Sequence, residues 1–134
     1  MLRSHFAAIL RATHHSCNHV PVVIFNDMVE RSALLDRTYG ALSHEIRRQM
    51  LEQLKGGPAR VTELASPFDV SLASASKHIR VLEDAGLVSR TIRGRDHLLS
   101  VQADSLGAAR EWIDTYTAFW AGRLDALEAE LRKG

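Results

Sequence analysis

The chain has 134 residues, 46% of them hydrophobic and 25% charged, with a formal net charge of +1 and a single cysteine. Those figures describe one globular domain with one core, and they exclude wholesale disorder, a histone-like polyanion binder and an internal disulfide framework. Affinity for nucleic acid must then come from local placement of charge: five basic against three acidic residues lie between 71 and 97, and four against six between 104 and 134.

Residues 1–30 read as an N-terminal arm without a strong helical or strand period, holding four of the seven histidines, and Met28 is an alternative start of the functional unit. The apolar patch between Arg3 and Arg11 is too short for a signal peptide, and Val20 to Phe25 is too brief for a membrane span. The expectation is a soluble, cytoplasmic protein with no membrane partner. Within the arm, His14, His15, Cys17 and His19 are ligand types suited to zinc, copper or nickel. Their spacing fits no standard structural zinc motif, so no metal and no other cofactor is expected.

From Ser32 the pattern sharpens. Ala33, Leu34, Tyr39 and Leu42 predict a first helix, and Ser43 is the expected cap of a second that lines up Ile46, Met50, Leu51 and Leu54 before Gly56-Gly57-Pro58 stops it. A short third helix is predicted over Thr62 to Pro67, capped near Val61 or Thr62, and Phe68-Asp69-Val70 links it to the next. That fourth helix has both ends written in it: Ser71 caps it, and Gly86 supplies the left-handed residue that ends it. Leu72, Ala75, Ile79 and Leu82 fall at spacings of three and four and form its expected core stripe. Ala73, Ser74, Ser76, Lys77 and Arg80 point elsewhere. An ordinary solvated face mixes both charge signs and favours Glu, Gln and Lys, whereas this one is small, polar and basic, as close approach to base edges requires. The third and fourth helices with their short connection make a helix-turn-helix.

Leu87 to Ile92 and Leu98 to Val101 have strand composition and flank Arg93-Gly94-Arg95-Asp96, which predicts a hairpin with a basic tip. Arg93 and Arg95 there suit a minor groove or phosphates. A last helix is expected from Asp104, as its N-cap, nearly to the end. Ala109, Ile113, Tyr116 and Trp120, then Leu124, Leu127 and Leu131, form an apolar stripe broadened by Trp112 and Phe119. The stripe is wider than one small domain covers, which predicts a second subunit against Ile113, Tyr116, Trp120, Leu124 and Leu127. The chain so divides into an arm (1–30), a winged helix-turn-helix (31–103) and a dimerisation helix (104–134), mainly α with a small β-hairpin wing. It has no glycine-rich phosphate loop, nucleophile elbow or paired catalytic carboxylates, and an enzyme is not expected.

Four segments in this order, Ala41-Leu-Ser-His-Glu-Ile-Arg-Arg48, Val61-Thr-Glu-Leu-Ala65, Ser71 to Val88 and Arg93-Gly-Arg95, make the chain from about Leu34 onward resemble the ArsR/SmtB family of bacterial winged-helix repressors. The resemblance implies a homodimeric repressor on a partly palindromic double-stranded DNA operator, with Ser71, Ser74, Ser76, Lys77, His78 and Arg80 facing the DNA. Helix geometry agrees for all but His78, which lies at the edge of the apolar stripe, where packing beside the core is the competing reading. The tail, Glu111-Trp112 and then Phe119 to Leu127, is similar to a branch lacking the familiar metal sites. Metal-sensing relatives carry two cysteines on the third helix, where Ala65 and Pro67 stand here, and histidines on the last helix, where residues 104–134 have none. Thiol-based relatives need paired cysteines, so no effector chemistry carries over and a small-molecule effector stays unspecified. Two alternatives remain at this point: a winged-helix module for protein association, and a metal-responsive regulator using the His14, His15, Cys17 and His19 cluster.

Overall fold

The computed structural model describes residues 22–134, and the His14, His15, Cys17, His19 cluster lies outside the described residues. Helices α1 (Val22–Leu42), α2 (Glu45–Leu54), α3 (Val61–Ala65), α4 (Leu72–Asp84) and α5 (Asp104–Arg132) accompany strands β1 (Ala59–Arg60), β2 (Val88–Arg93) and β3 (Asp96–Val101). Compact units divide between Glu30 and Arg31, and the contacts below belong to the second.

Helix α1 begins at Val22, ahead of the start expected at Ser32. Its first turns open with the β-branched run Val22-Val23-Ile24, a weak helix former, and periodicity has no clean stripe there to register. At its other end the last carbonyls, which have no partner inside the helix, are met by arginines of α2. Arg47 Nε donates to the Ala41 carbonyl at 2.6 Å and Nη2 to that of Gly40 at 2.9 Å, while Arg48 Nη1 donates to that of Leu42 at 2.8 Å. Ser43 Oγ also turns back, donating to the Gly40 carbonyl at 2.6 Å. Ser43 therefore closes α1 and does not cap α2. The cap is His44, whose Nδ1 accepts the Ile46 N–H at 3.2 Å.

Helix α3 starts one residue earlier than expected, with Arg60 as its cap position and the Glu63 carboxylate accepting the Arg60 N–H at 2.7 Å. In α4 Ser71 Oγ accepts the Ser74 N–H at 3.1 Å, as its residue type predicts. Ala75, Ile79 and Leu82 are buried, but Leu72, expected on the same stripe, is 53% exposed. The first turn of α4 overhangs the edge of the core, and the preceding Phe68 and Val70 pack against it instead. Gly86, at φ 70°, ends the helix in a Schellman arrangement: its N–H reaches the Glu83 carbonyl and the Leu87 N–H that of Leu82, both at 2.9 Å.

The wing is a three-stranded antiparallel sheet in the order β1-β3-β2. Register runs from Val88↔Val101 to Arg93↔Asp96, so Gly94, at φ 61°, and Arg95 form a two-residue loop. The third strand, β1, was not expected; it pairs Ala59 with Leu99 and Arg60 with Leu98. Met50, Leu64, Ile79, Leu82, Leu87 and Leu99 make one core among α2, α3, α4 and the sheet. Helix α5 begins with Asp104 inside the helix and Ala103 as the flanking residue without a side-chain cap, where Asp104 complements the dipole. Tyr39 OH anchors it by donating to the Ala109 carbonyl at 2.7 Å, and Ser105 Oγ donates to the Gly86 carbonyl at 3.3 Å. From Arg110 on every residue is exposed. Among the described residues no helix is long and apolar enough to cross a membrane.

Candidate nucleic-acid interface

Burial of Ala75, Ile79 and Leu82 fixes the rotation of α4, and with it the face that Ala73, Ser76, Lys77 and Arg80 present to water. Ser74 is half-buried, and Ser71 stands exposed at the N-terminus with its Oγ engaged in the cap. Ser76, Lys77 and Arg80 line one polar groove with Glu83 and with Arg90 of β2. Arg93 and Arg95 sit on the hairpin, exposed, and Arg95 borders a separate hollow with Arg60, Thr62, Asp96 and His97.

His78 occupies neither surface fully. It is half-buried, its Nδ1 lies 3.3 Å from Arg47 Nη1, and its ring faces that of His44 at 4.6 Å between centroids. Burial first, then the neighbouring His44 and Arg47, hold its pKa below the ordinary imidazole value. A neutral Nδ1 is what a guanidinium donor needs, and through this contact the half-buried ring joins α4 to α2.

Two of the three acids in this region are taken up by particular arginines, and Asp84, exposed at the end of α4, is in no ion pair among the described residues. Asp96 at the wing receives Arg60 in a fork, Nε at 3.1 Å and Nη2 at 3.2 Å. Glu83 receives Arg90 in another, Nε at 2.8 Å and Nη2 at 3.1 Å, and that bonding raises the Arg90 pKa further. Among the described residues Lys77, Arg80, Arg93 and Arg95 take part in no ion pair. The four cations singled out from sequence thus carry uncompensated charge into water, while Arg60 and Arg90, which sequence reasoning did not single out, compensate the acids beside them. Arg47 was missed as well; a basic pair opening a helix just after another ends was the available signal. Among the described residues no three His, Cys, Asp or Glu side chains gather as a metal site would require.

Residues 42–91 match the helix-turn-helix domain family. The chain is 35% identical over 89 residues to the HTH-type transcriptional regulator Rv2034 of Mycobacterium tuberculosis, covering 66% of this chain and 80% of that protein. It is 28% identical over 79 residues to the transcriptional repressor SdpR of Bacillus subtilis, covering 59% and 88%. Among solved structures, an ArsR family transcriptional regulator superposes with a TM-score of 0.64 at 34% identity, covering 67% of this chain and 93% of the other. An ArsR-like transcriptional regulator from Rhodococcus sp. RHA1 gives 0.62 at 28% identity, with 72% and 92% covered.

Proposed function

This chain belongs to the ArsR family of winged helix-turn-helix transcriptional regulators, and from that premise we propose that it is a homodimeric repressor that reads a partly palindromic operator. Helix α4 enters the major groove. Ser71 and the helix N-terminus meet a phosphate there, and Ser74, Ser76, Lys77 and Arg80 face the bases and the adjoining backbone. Small serines let the helix approach, and the two cations provide reach. Arg93 and Arg95 carry the wing onto the flanking backbone or minor groove. Repression follows from occupancy, because protein seated on promoter DNA excludes other proteins from it. The name of the Bacillus subtilis relative supports that sign of regulation.

The observation that carries the reading is the pattern of pairing: Lys77, Arg80, Arg93 and Arg95 are exposed and unpaired among the described residues, while two of the three neighbouring acids, Asp96 and Glu83, are neutralised by Arg60 and Arg90. Phosphate binding needs such uncompensated cations and gains from the counterions they release. Selection of duplexes from a random library with the full chain, followed by titration over a range of salt, tests it. Enrichment of a two-fold related sequence is expected, with affinity falling steeply as salt rises. A chain that enriches no duplex at low salt overturns the reading.

A further inference from the structure

The groove beside α4 contains an acid where a DNA-binding surface should avoid one. Glu83 lines it together with Ser76, Lys77 and Arg80, and an unpaired carboxylate there would repel phosphate. Its charge is held by Arg90 in the best shielded ion pair among the described residues, with side chains 29% and 24% exposed, against 51% or more on both sides of every other pair. Arg90 turns all three of its nitrogens inward and spends three of its five N–H donors within the protein: Nε and Nη2 are on Glu83, and Nη1 lies 3.2 Å from His97 Nδ1. The three residues belong to three elements, Glu83 to the last turn of α4, Arg90 to β2 and His97 to β3. Gly94 at the tip lies four residues beyond Arg90, about 13 Å along an extended strand. A small tilt at Arg90 therefore becomes a larger displacement of Arg93 and Arg95.

We propose that Arg90 is a positioning residue for DNA binding that clamps the wing to the recognition helix through Glu83 and His97, so that the negatively charged Glu83 strengthens binding. This rests on the DNA-binding reading above. Simple charge arithmetic gives the opposite sign for Glu83, since removing an acid from a groove that receives phosphate should tighten the complex.

The test uses the full chain, the duplex that the unaltered protein enriches from a random library, and a titration of affinity against salt. Glu83→Gln is expected to weaken binding about tenfold, equivalent to about 1.4 kcal/mol. Arg90→Ala is expected to do the same while leaving the slope of log affinity against log salt unchanged, because no phosphate contact is lost. Equal or tighter binding by Glu83→Gln overturns the clamp, and so does a slope reduced by about one in Arg90→Ala, which would make Arg90 a phosphate contact. Should either variant melt below the assay temperature, the reversed pair Glu83→Arg with Arg90→Glu decides. It is expected to recover most of the affinity that Arg90→Glu alone loses, and no recovery overturns the clamp. If the unaltered chain enriches no duplex, the DNA-binding reading falls and the clamp with it, an outcome distinct from a binding chain in which Glu83 and Arg90 prove indifferent.

Discussion

Lys77 and His78 are neighbours on α4, yet a rotation of about 100° between successive helix residues gives them different work. Lys77 is exposed and unpaired among the described residues, as is Arg80 three residues on. Lys77→Ala and Arg80→Ala are accordingly expected to weaken binding to the enriched duplex, by about 1–3 kcal/mol for a base contact, with the thermal midpoint unchanged. Parent-like binding by both would take the recognition face away from this side of α4. His78 instead predicts a pH dependence of stability. Its folded pKa is depressed by burial, His44 and Arg47. As pH falls through the ordinary histidine range, the unfolded chain binds a proton at this ring before the folded chain does, so the native state loses stability on acidification. On α3 the Glu63 carboxylate is turned to the Arg60 backbone, and on β2 Arg90 is itself a cation, so neither offers this ring a counter-charge. Thermal melts at about pH 7 and about pH 5.5 should show a larger fall for the parent than for His78→Gln, whose amide oxygen can accept from Arg47 without titrating. Equal falls would mean that other groups set the acid sensitivity.

At the scale of elements, the turn that ends α4 joins the recognition helix to the wing and admits little else. Gly86 has φ 70°, and a Cβ built there would come within 2.8 Å of Ser105 Oγ. Gly86→Ala is expected to destabilise the fold by about 1–2 kcal/mol for the left-handed backbone alone, plus the clash, as read by urea denaturation. Adding Ser105→Gly should recover the steric part and leave the backbone part. The wing makes its own prediction: Arg93→Ala with Arg95→Ala should weaken enriched and scrambled duplexes alike and flatten the salt dependence. An unchanged slope would make the tip a bystander. These same elements show what a sequence makes legible. Helix α4 was readable because its cap, its buried stripe and its terminating glycine are all local signals. Leu72 misleads because periodicity assigns a side chain to a face without saying how far the core extends beneath it. Ser43 is the better capper by type but is drawn back to the Gly40 carbonyl, and His44 takes its place. Strand β1 has two residues and exists by pairing with Leu98 and Leu99 far along the chain. The three arginines that organise the site reach partners across elements, Arg47 to His78, Arg60 to Asp96 and Arg90 to Glu83, and nothing periodic announces such contacts.

For the molecule as a whole, the decisive surface is the far half of α5. The helix has 29 residues, roughly 43 Å at 1.5 Å per residue, and past Ala109 it exposes Trp112, Ile113, Tyr116, Phe119, Trp120, Leu124, Leu127 and Leu131, each by between 46% and 73%. The aromatic rings pack on one another, Trp112 stacked on Tyr116 at 5.3 Å and Tyr116 edge-on to Trp120 at 6.2 Å, and still stand exposed. So much contiguous apolar surface on so small a domain supports a second copy as its cover. A two-fold pair of α5 helices would present the same stripe from both sides. Recognition gains from the same association, since one α4 reads few base pairs and two copies about 34–36 Å apart would meet successive major-groove faces. Trp120→Glu with Leu127→Glu puts two carboxylates into the proposed seam at a large desolvation cost while touching none of the buried core. The variant should keep its fold by circular dichroism, sediment as a monomer and lose operator binding at the same time. Sedimentation and a DNA titration on one sample check both halves of the claim, and a folded variant that still sediments as a dimer would place the interface elsewhere, with α1 the next surface to alter.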